Sequence, residues 1–257
     1  MVAMPRAALP VLLLALCLTG CSSDEAGEPS EPGDGGSATS AAPSGPYQEI
    51  EFTGGDGEPR QGRVYGPDDA PVAVVLSHMG SDGDSQDDWA ATAQALAERG
   101  HRVLTYQRLR PRYQIWQEII GAVERLRDDG AERVVVAGAS LGAMASLHVA
   151  LQPEPATDGV VWIAGGLRSD GMVFDQATVA GLACPALLIS GDQDSYGGTE
   201  ATQQLHEWLP GSELLILPSA RHGTDILAEG GAPAEQLETA VLDFIDEVAA
   251  AEAPAPC

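Results

Sequence analysis

The sequence contains no lysine. All thirteen of its basic residues are arginine, and they stand against 38 Asp and Glu in 257 residues, a formal net charge of −25. So negative a chain repels phosphate, which argues against nucleic acid as a partner. With so few basic residues, any membrane attachment is expected to rest on a lipid and not on a basic patch. The acidity itself reads as a solvated, soluble surface. Internal repeats are absent too, which sets solenoids aside and leaves the length to form a single sizeable core. Asp82, Asp84, Asp87 and Asp88 crowd together but lack the regular spacing and late Glu of a helix-loop-helix calcium site. They are expected to cap a helix in solvent, with no metal bound.

The N-terminus departs in composition from the rest. Arg6 is followed by the apolar run Leu9 to Leu18 and then by Leu18-Thr19-Gly20-Cys21. The order is that of a secretory leader, whose apolar part is too short to span a bilayer. It resembles a bacterial lipoprotein signal, in which small residues precede a cysteine that is lipidated and becomes the new N-terminus. That resemblance implies that residues 1–20 are removed and that Cys21 carries the lipid. The anchor then holds the protein on the outer side of the cell membrane. Residues 22–46 are Ser, Gly, Pro, Ala, Asp and Glu with a single Thr and no large apolar side chain, so residues 21–46 are expected to be a disordered tether. Such a coil spans on the order of 25–30 Å. The folded domain is expected over residues 47–251, with a short tail over 252–257.

Two of the four cysteines, Cys184 and Cys257, remain in the folded part. An exported location permits a disulfide. Cys184 opens a predicted strand, and Cys257 follows a last helix that must run back toward the strand beginnings. The two sulfurs can therefore meet at the sheet edge where the strands start, or Cys184 is a buried thiol and the tail is free.

From Tyr47 the elements can be read in order. Tyr47–Thr53 and Gln61–Tyr65 flank a Gly/Asp/Pro turn and predict a hairpin. Val72–Leu76 is an apolar run without alternation, hence a buried strand. Trp89–Arg99 predicts a helix, capped by Asp87 or Asp88 and stopped at Gly100. A strand over Arg102–Tyr106 follows, then a helix opened by Pro111 and Tyr113 whose Ile115, Trp116, Ile119, Ile120, Val123 and Leu126 share one face. Strands are predicted at Val134–Ala137, Val160–Ala164, Leu187–Ser190 and Leu214–Leu217. Helices are predicted at Leu141–Leu151, Thr199–Leu209 and Ala234–Ala250. The alternation predicts an α/β fold, a mostly parallel sheet of about eight strands with helices on both faces.

The organising stretch is Val134–Leu151. An apolar strand runs into Gly138-Ala139-Ser140-Leu141-Gly142 and straight on into an apolar helix. So sharp a turn strains the backbone at its corner and exposes the Ser140 hydroxyl above a helix N-terminus that favours an oxyanion. A serine becomes a nucleophile when a base takes its proton, and the base needs a third group to orient it. His78 directly follows a strand, His101 lies at a strand start, and His148 and His206 lie within helices. His222 follows a strand end among small neighbours, and it is the expected base.

In these motifs the chain resembles the α/β-hydrolases over roughly Val72 to Ala250. The resemblance implies the chain order nucleophile, acid, histidine, which falls on Ser140, Asp194 and His222. Asp192 is the alternative acid and Asp170 a more distant one. It also implies an oxyanion hole made by the N–H of Leu141 and one from the loop His78-Met79-Gly80. Met79 stands where glycine is usual, which leaves Met79 and Gly80 both open as the second donor. Only about twenty residues separate the strands where many members insert a helical cap, so a bare or thinly lidded site is expected. Met172, Val173 and Phe174 are expected in a short packed helix, or else as a small apolar wall of that site. Arg108, Arg110 and Arg112 follow a strand on the catalytic edge and Arg221 adjoins His222; they hold an anionic substrate group or face phospholipid, or else pair with surface carboxylates.

The implied activity is hydrolysis of carboxylic esters with small or accessible acyl groups through an acyl-enzyme, without a cofactor. An amidase, peptidase or thioesterase uses the same three residues, and a surface binding protein can keep the fold without turnover. A monomer is expected.

Overall fold

The computed structural model describes residues 46–109, 114–252 and 256–257. The expected leader, Cys21 and all but the last residue of the expected tether lie outside the described residues, as do Arg110, Pro111, Arg112 and Tyr113. No helix among the described residues is long and apolar enough to cross a membrane.

The opening hairpin is present, β1 (Gln48–Thr53) pairing antiparallel with β2 (Pro59–Tyr65). β3 (Val72–Ser77) is buried along its whole length. The next helix starts with a 3₁₀ turn, Gln86–Trp89, and continues as α1 (Ala90–Glu98). Its cap is Ser85, not Asp87 or Asp88: the Ser85 side chain accepts from the Asp87 N–H, and Asp88 closes the box by accepting from the Ser85 N–H at 3.0 Å. β4 (Arg102–Tyr106), α2 (Trp116–Asp128), β5 (Arg133–Ala139), α3 (Leu141–Ala150) and β6 (Gly159–Ile163) follow as the apolar spacing predicts.

Between the sixth and seventh strands of the main sheet the structure departs from the reading of the sequence. Residues 172–174 do not form a helix. Arg168–Ser169 (β7) and Met172–Val173 (β8) make a two-residue antiparallel hairpin, turned by Asp170 and Gly171, both at positive φ. An Asp-Gly pair is the turn that such a hairpin needs. Met172 and Phe174 are buried as expected, Phe174 edge-on to Trp162, while Val173 is exposed. The short α4 (Gln176–Val179) follows. The chain closes with β9 (Ala186–Gly191), α5 (Gly198–Trp208), β10 (Glu213–Leu217), the small α6 (Asp225–Glu229) and α7 (Gly231–Ala250).

The eight-stranded sheet runs β1-β2-β4-β3-β5-β6-β9-β10, parallel from β4 to β10. Alternation along each strand divides two cores. Val134, Val136 and Trp162 face the core that takes in α2, α3 and α5. Val135, Ala137, Val161 and Ile163 face the one that takes in α1, α6 and α7. Burial on both faces is why these strands read as unbroken apolar runs.

Because β3, β5, β6, β9 and β10 are parallel, their C-terminal ends lie along one edge, and so do the loops that follow them. At the opposite edge Cys184, just before β9, is disulfide-bonded to Cys257. The Cys257 N–H donates to Thr157 O at 2.8 Å, which seats the tail against the start of β6.

Candidate active site

Ser140 stands between β5 and α3 with φ 51° and ψ −116°. A non-glycine residue there carries strain of order 1–3 kcal/mol, and tertiary contacts hold it: the Ser140 N–H donates to Ile163 O at 2.8 Å. The flanking glycines are required by space. A Cβ on Gly138 would lie 2.3 Å from the Gly142 carbonyl carbon, and one on Gly142 would lie 2.3 Å from Ser77 O. Their bareness lets β5, α3 and the end of β3 close on one another.

The loop after β9 carries Asp194, and the loop after β10 carries His222. Asp194 is wholly buried at its side chain. Its Oδ1 accepts from the Tyr196 N–H at 2.9 Å and its Oδ2 lies 2.7 Å from His222 Nδ1. His222 Nε2 lies 2.8 Å from Ser140 Oγ. With Nδ1–H given to the carboxylate, Nε2 of a neutral imidazole carries the lone pair and accepts from the serine hydroxyl. The Tyr196 ring lies 4.9 Å from the His222 ring, centroid to centroid, and is itself 81 % exposed.

Asp192, the alternative acid, does different work. Its Oδ1 accepts from the Ser219 N–H at 3.1 Å, while its own N–H donates to Leu217 O at 2.8 Å, so it clamps the acid-bearing loop to the histidine-bearing loop. Asp170 sits in the β7–β8 turn with its carboxylate accepting from Ser169 Oγ. Ser140 opens into a cleft of about 420 Å³, lined by Met79, Gly80, Leu141, Met144, Arg168 and Tyr196 among others. The β7–β8 hairpin supplies one rim. The cleft is open, as the short connection led one to expect.

Leu141 is the first residue of α3, where the N–H groups have no partner inside the helix. It lines the cleft beside Ser140, and so do both Met79 and Gly80.

Arg108 is not an anion site. It is 3 % exposed and its guanidinium is spent inside the protein. Nη1 donates to Met79 O at 2.6 Å, Nη2 to His78 O at 2.8 Å and to Ser77 Oγ at 3.2 Å, and Nε to Glu118 Oε2 at 3.3 Å. Burial pushes the Glu118 carboxyl up, opposed by Arg108, the Leu109 N–H and Arg60. Burial beside Glu118 pushes the Tyr106 hydroxyl, bonded to Ser77 Oγ at 2.7 Å, up to about 12. Arg221 is exposed, with Glu229 3.8 Å away.

Each remaining histidine has its own place. His78 Nδ1 bonds Met79 O at 2.8 Å and its Nε2 accepts from the Arg108 N–H at 3.3 Å. His101 pairs with Asp246 and His206 with Ser212, while the His148 ring lies against Trp116. In the acidic stretch, Asp87 pairs with Arg63 and Asp84 accepts from the Ser81 N–H. Among the described residues no three His, Cys, Asp or Glu side chains are grouped to hold a metal.

No protein-family model and no curated protein sequence matches the chain. Solved structures do. The Pyrococcus furiosus esterase Pf2001 is similar at 18 % identity and a TM-score of 0.65, over 78 % of this chain and 92 % of that one. Est1E from Butyrivibrio proteoclasticus is similar at 17 % and 0.65, over 79 % and 99 %. The dienelactone hydrolase from Anabaena variabilis is similar at 21 % and 0.64, over 79 % and 99 %. The chain has the α/β-hydrolase fold. In this fold the Ser140 corner, the Asp194 loop and the His222 loop occupy the strand ends that the sequence motif led one to expect, all on one edge of the sheet. Glu118 and Tyr196 are additions that the motif did not single out, while Arg108 and Asp192, expected from the sequence as an anion holder and an alternative acid, take other roles. Glu118 did leave a trace in the sequence: a carboxylate one position before Ile119, on the face of α2 that is otherwise apolar, signals a buried cation.

Proposed function

We propose that the protein is a serine hydrolase that cleaves carboxylic esters with small or accessible acyl groups. The observation that carries this reading is the unbroken chain Asp194–His222–Ser140, 2.7 and 2.8 Å between successive partners, at the floor of an open cleft. Ser140 Oγ attacks the ester carbonyl as His222 Nε2 takes its proton. Asp194 holds the imidazole in the productive tautomer and offsets the charge of the imidazolium. The carbonyl oxygen, now an anion, accepts from the Leu141 N–H and from Met79 or Gly80. His222 then protonates the departing alkoxide, leaving an acyl ester on Ser140, and activates the water that releases the acid.

The names of the structural neighbours, esterases and a lactone hydrolase, support ester over amide cleavage. The resemblance of residues 1–21 to a lipoprotein signal supports a lipid anchor on Cys21 at the outer face of the membrane, with residues 22–46 as tether.

The test is to label the purified protein with a fluorophosphonate and map the adduct by mass. The adduct is expected on Ser140 and is expected to vanish in His222→Ala. In Ser140→Ala, turnover of short-chain esters should fall by about 10⁴-fold or more. A folded sample that takes no label, or a Ser140→Ala variant with near-normal turnover, would remove the reading.

A further inference from the structure

A carbonyl-rich contact under the cleft has no part in the scheme above. Arg108 Nη2 donates to His78 O at 2.8 Å and Nη1 to Met79 O at 2.6 Å, and the His78 Nδ1–H reaches the same Met79 O at 2.8 Å. Those are two successive carbonyls held by one guanidinium.

In a planar trans peptide the C=O and the N–H of the same unit point in opposite directions. The unit that carries His78 O also carries the Met79 N–H, and the unit that carries Met79 O carries the Gly80 N–H. With both carbonyls turned to Arg108, both N–H groups face away from it. Consecutive N–H groups turned to one side make a concavity suited to an anion. Met79 and Gly80 line the cleft into which Ser140 opens.

A charged donor on a carbonyl also polarises the peptide and makes its N–H a better donor. The guanidinium is itself fixed: Nε donates to Glu118 Oε2 at 3.3 Å, Glu118 Oε1 accepts from the Leu109 N–H at 2.9 Å, and Arg60 Nε stands 3.7 Å from Glu118. The Arg108 N–H meanwhile donates to His78 Nε2, so residues 77–79 are held by backbone and side chain of the same arginine.

From this geometry we infer that Arg108 is a positioning residue for the reaction, aiming and strengthening the Met79 and Gly80 N–H groups as oxyanion donors, with Glu118 fixing its fork. The inference rests on the hydrolase reading above. A lysine cannot replace it, because one ammonium point charge does not span two carbonyls in the fixed fork of a guanidinium.

The experiment compares wild type with Arg108→Lys, Arg108→Gln and Glu118→Gln, each confirmed as folded by its near-ultraviolet dichroism. For each, kcat and KM for a short-chain ester are measured beside the affinity for a trifluoromethyl ketone. That ketone adds Ser140 Oγ at its carbonyl carbon and places a hemiketal oxyanion where the intermediate's would be. Arg108→Lys and Arg108→Gln are expected to lose about 10²–10³-fold in kcat, the scale of one lost oxyanion donor, with KM changed less than about threefold. Ketone affinity should fall in proportion to kcat/KM across the series, Glu118→Gln lying on the same line with a smaller loss.

A merely structural role would lower the melting temperature and leave kcat and ketone affinity of the folded protein intact, which would overturn the inference. So would a loss confined to KM. If Arg108→Gln does not fold, the other two variants carry the comparison. A wild type that takes no fluorophosphonate would remove the hydrolase reading and this inference together. A labelled wild type with unchanged ketone affinity in the variants would remove the inference alone.

Discussion

His222 Nδ1 and Asp194 Oδ2 lie 2.7 Å apart, and the Asp194 side chain has no solvent exposure, so the imidazole is fixed by a carboxylate that water does not reach. Asp192, two residues earlier, spends its Oδ1 on the Ser219 N–H. The two aspartates are therefore separable by substitution. Asp194→Asn removes the charge that balances the imidazolium and favours the wrong tautomer, and kcat should fall about 10⁴-fold with little change in KM. Asp192→Asn keeps an oxygen for Ser219 and should retain most of the activity. Steady-state kinetics on a short-chain ester decide it, and equal losses in the two variants would sink the assignment of Asp194 as the acid.

Much of this site was legible because it depends on local rules. Gly138-Ala139-Ser140-Leu141-Gly142 lies between a strand and a helix that are both apolar, and the steric need for the two glycines can be argued from the bend alone. The loops of His222 and Asp194 follow apolar runs, and parallel strands bring run ends together. Choosing between Asp192 and Asp194 was beyond the sequence, since both follow the same strand and only the position of the imidazole separates them. Arg108 misled for a different reason. Three arginines at alternate positions look like one exposed cluster, whereas Arg108 turns inward to carbonyls that pattern cannot locate. The β7–β8 hairpin has strands of two residues, too short for any alternation to register, and Asp170-Gly171 was its one signal. The strand order β2-β4-β3 depends on crossovers and leaves no trace in periodicity.

Cys184 and Cys257 close a loop of 73 residues. Loop-closure entropy for that length corresponds to about 4 kcal/mol of stabilisation, acting mainly on the unfolded chain. The bridge sits where β6 and β9 begin, and Ser140 where β5 ends, so the two are at opposite edges of the sheet. The double variant Cys184→Ser, Cys257→Ser should lose about 2–4 kcal/mol in urea unfolding and keep its kcat at 25 °C. The thiol-reduced wild type should behave as the double variant does. Loss of kcat in a variant that remains folded would show that the tail bears on the site.

His148 gives the molecule a pH dependence of known sign. It lies on α3 with its ring 4.5 Å from the Trp116 ring, and burial holds its imidazole below the usual histidine range. The unfolded chain, with an ordinary imidazole, therefore binds a proton more readily than the folded one. The stability contributed by the neutral ring is present above the ordinary histidine value of about 6.5 and is lost as the pH falls from there toward the depressed folded value. Urea midpoints of wild type and His148→Gln at pH 7.5 and 5.5 test this. Wild type should lose more stability across the interval than the variant does. The lowered carboxylates Asp56 and Asp246 lose their contribution only in more acid solution and are common to both proteins, so they cancel in the comparison. An equal loss in the two proteins would mean that His148 meets the proton as freely in the fold as outside it.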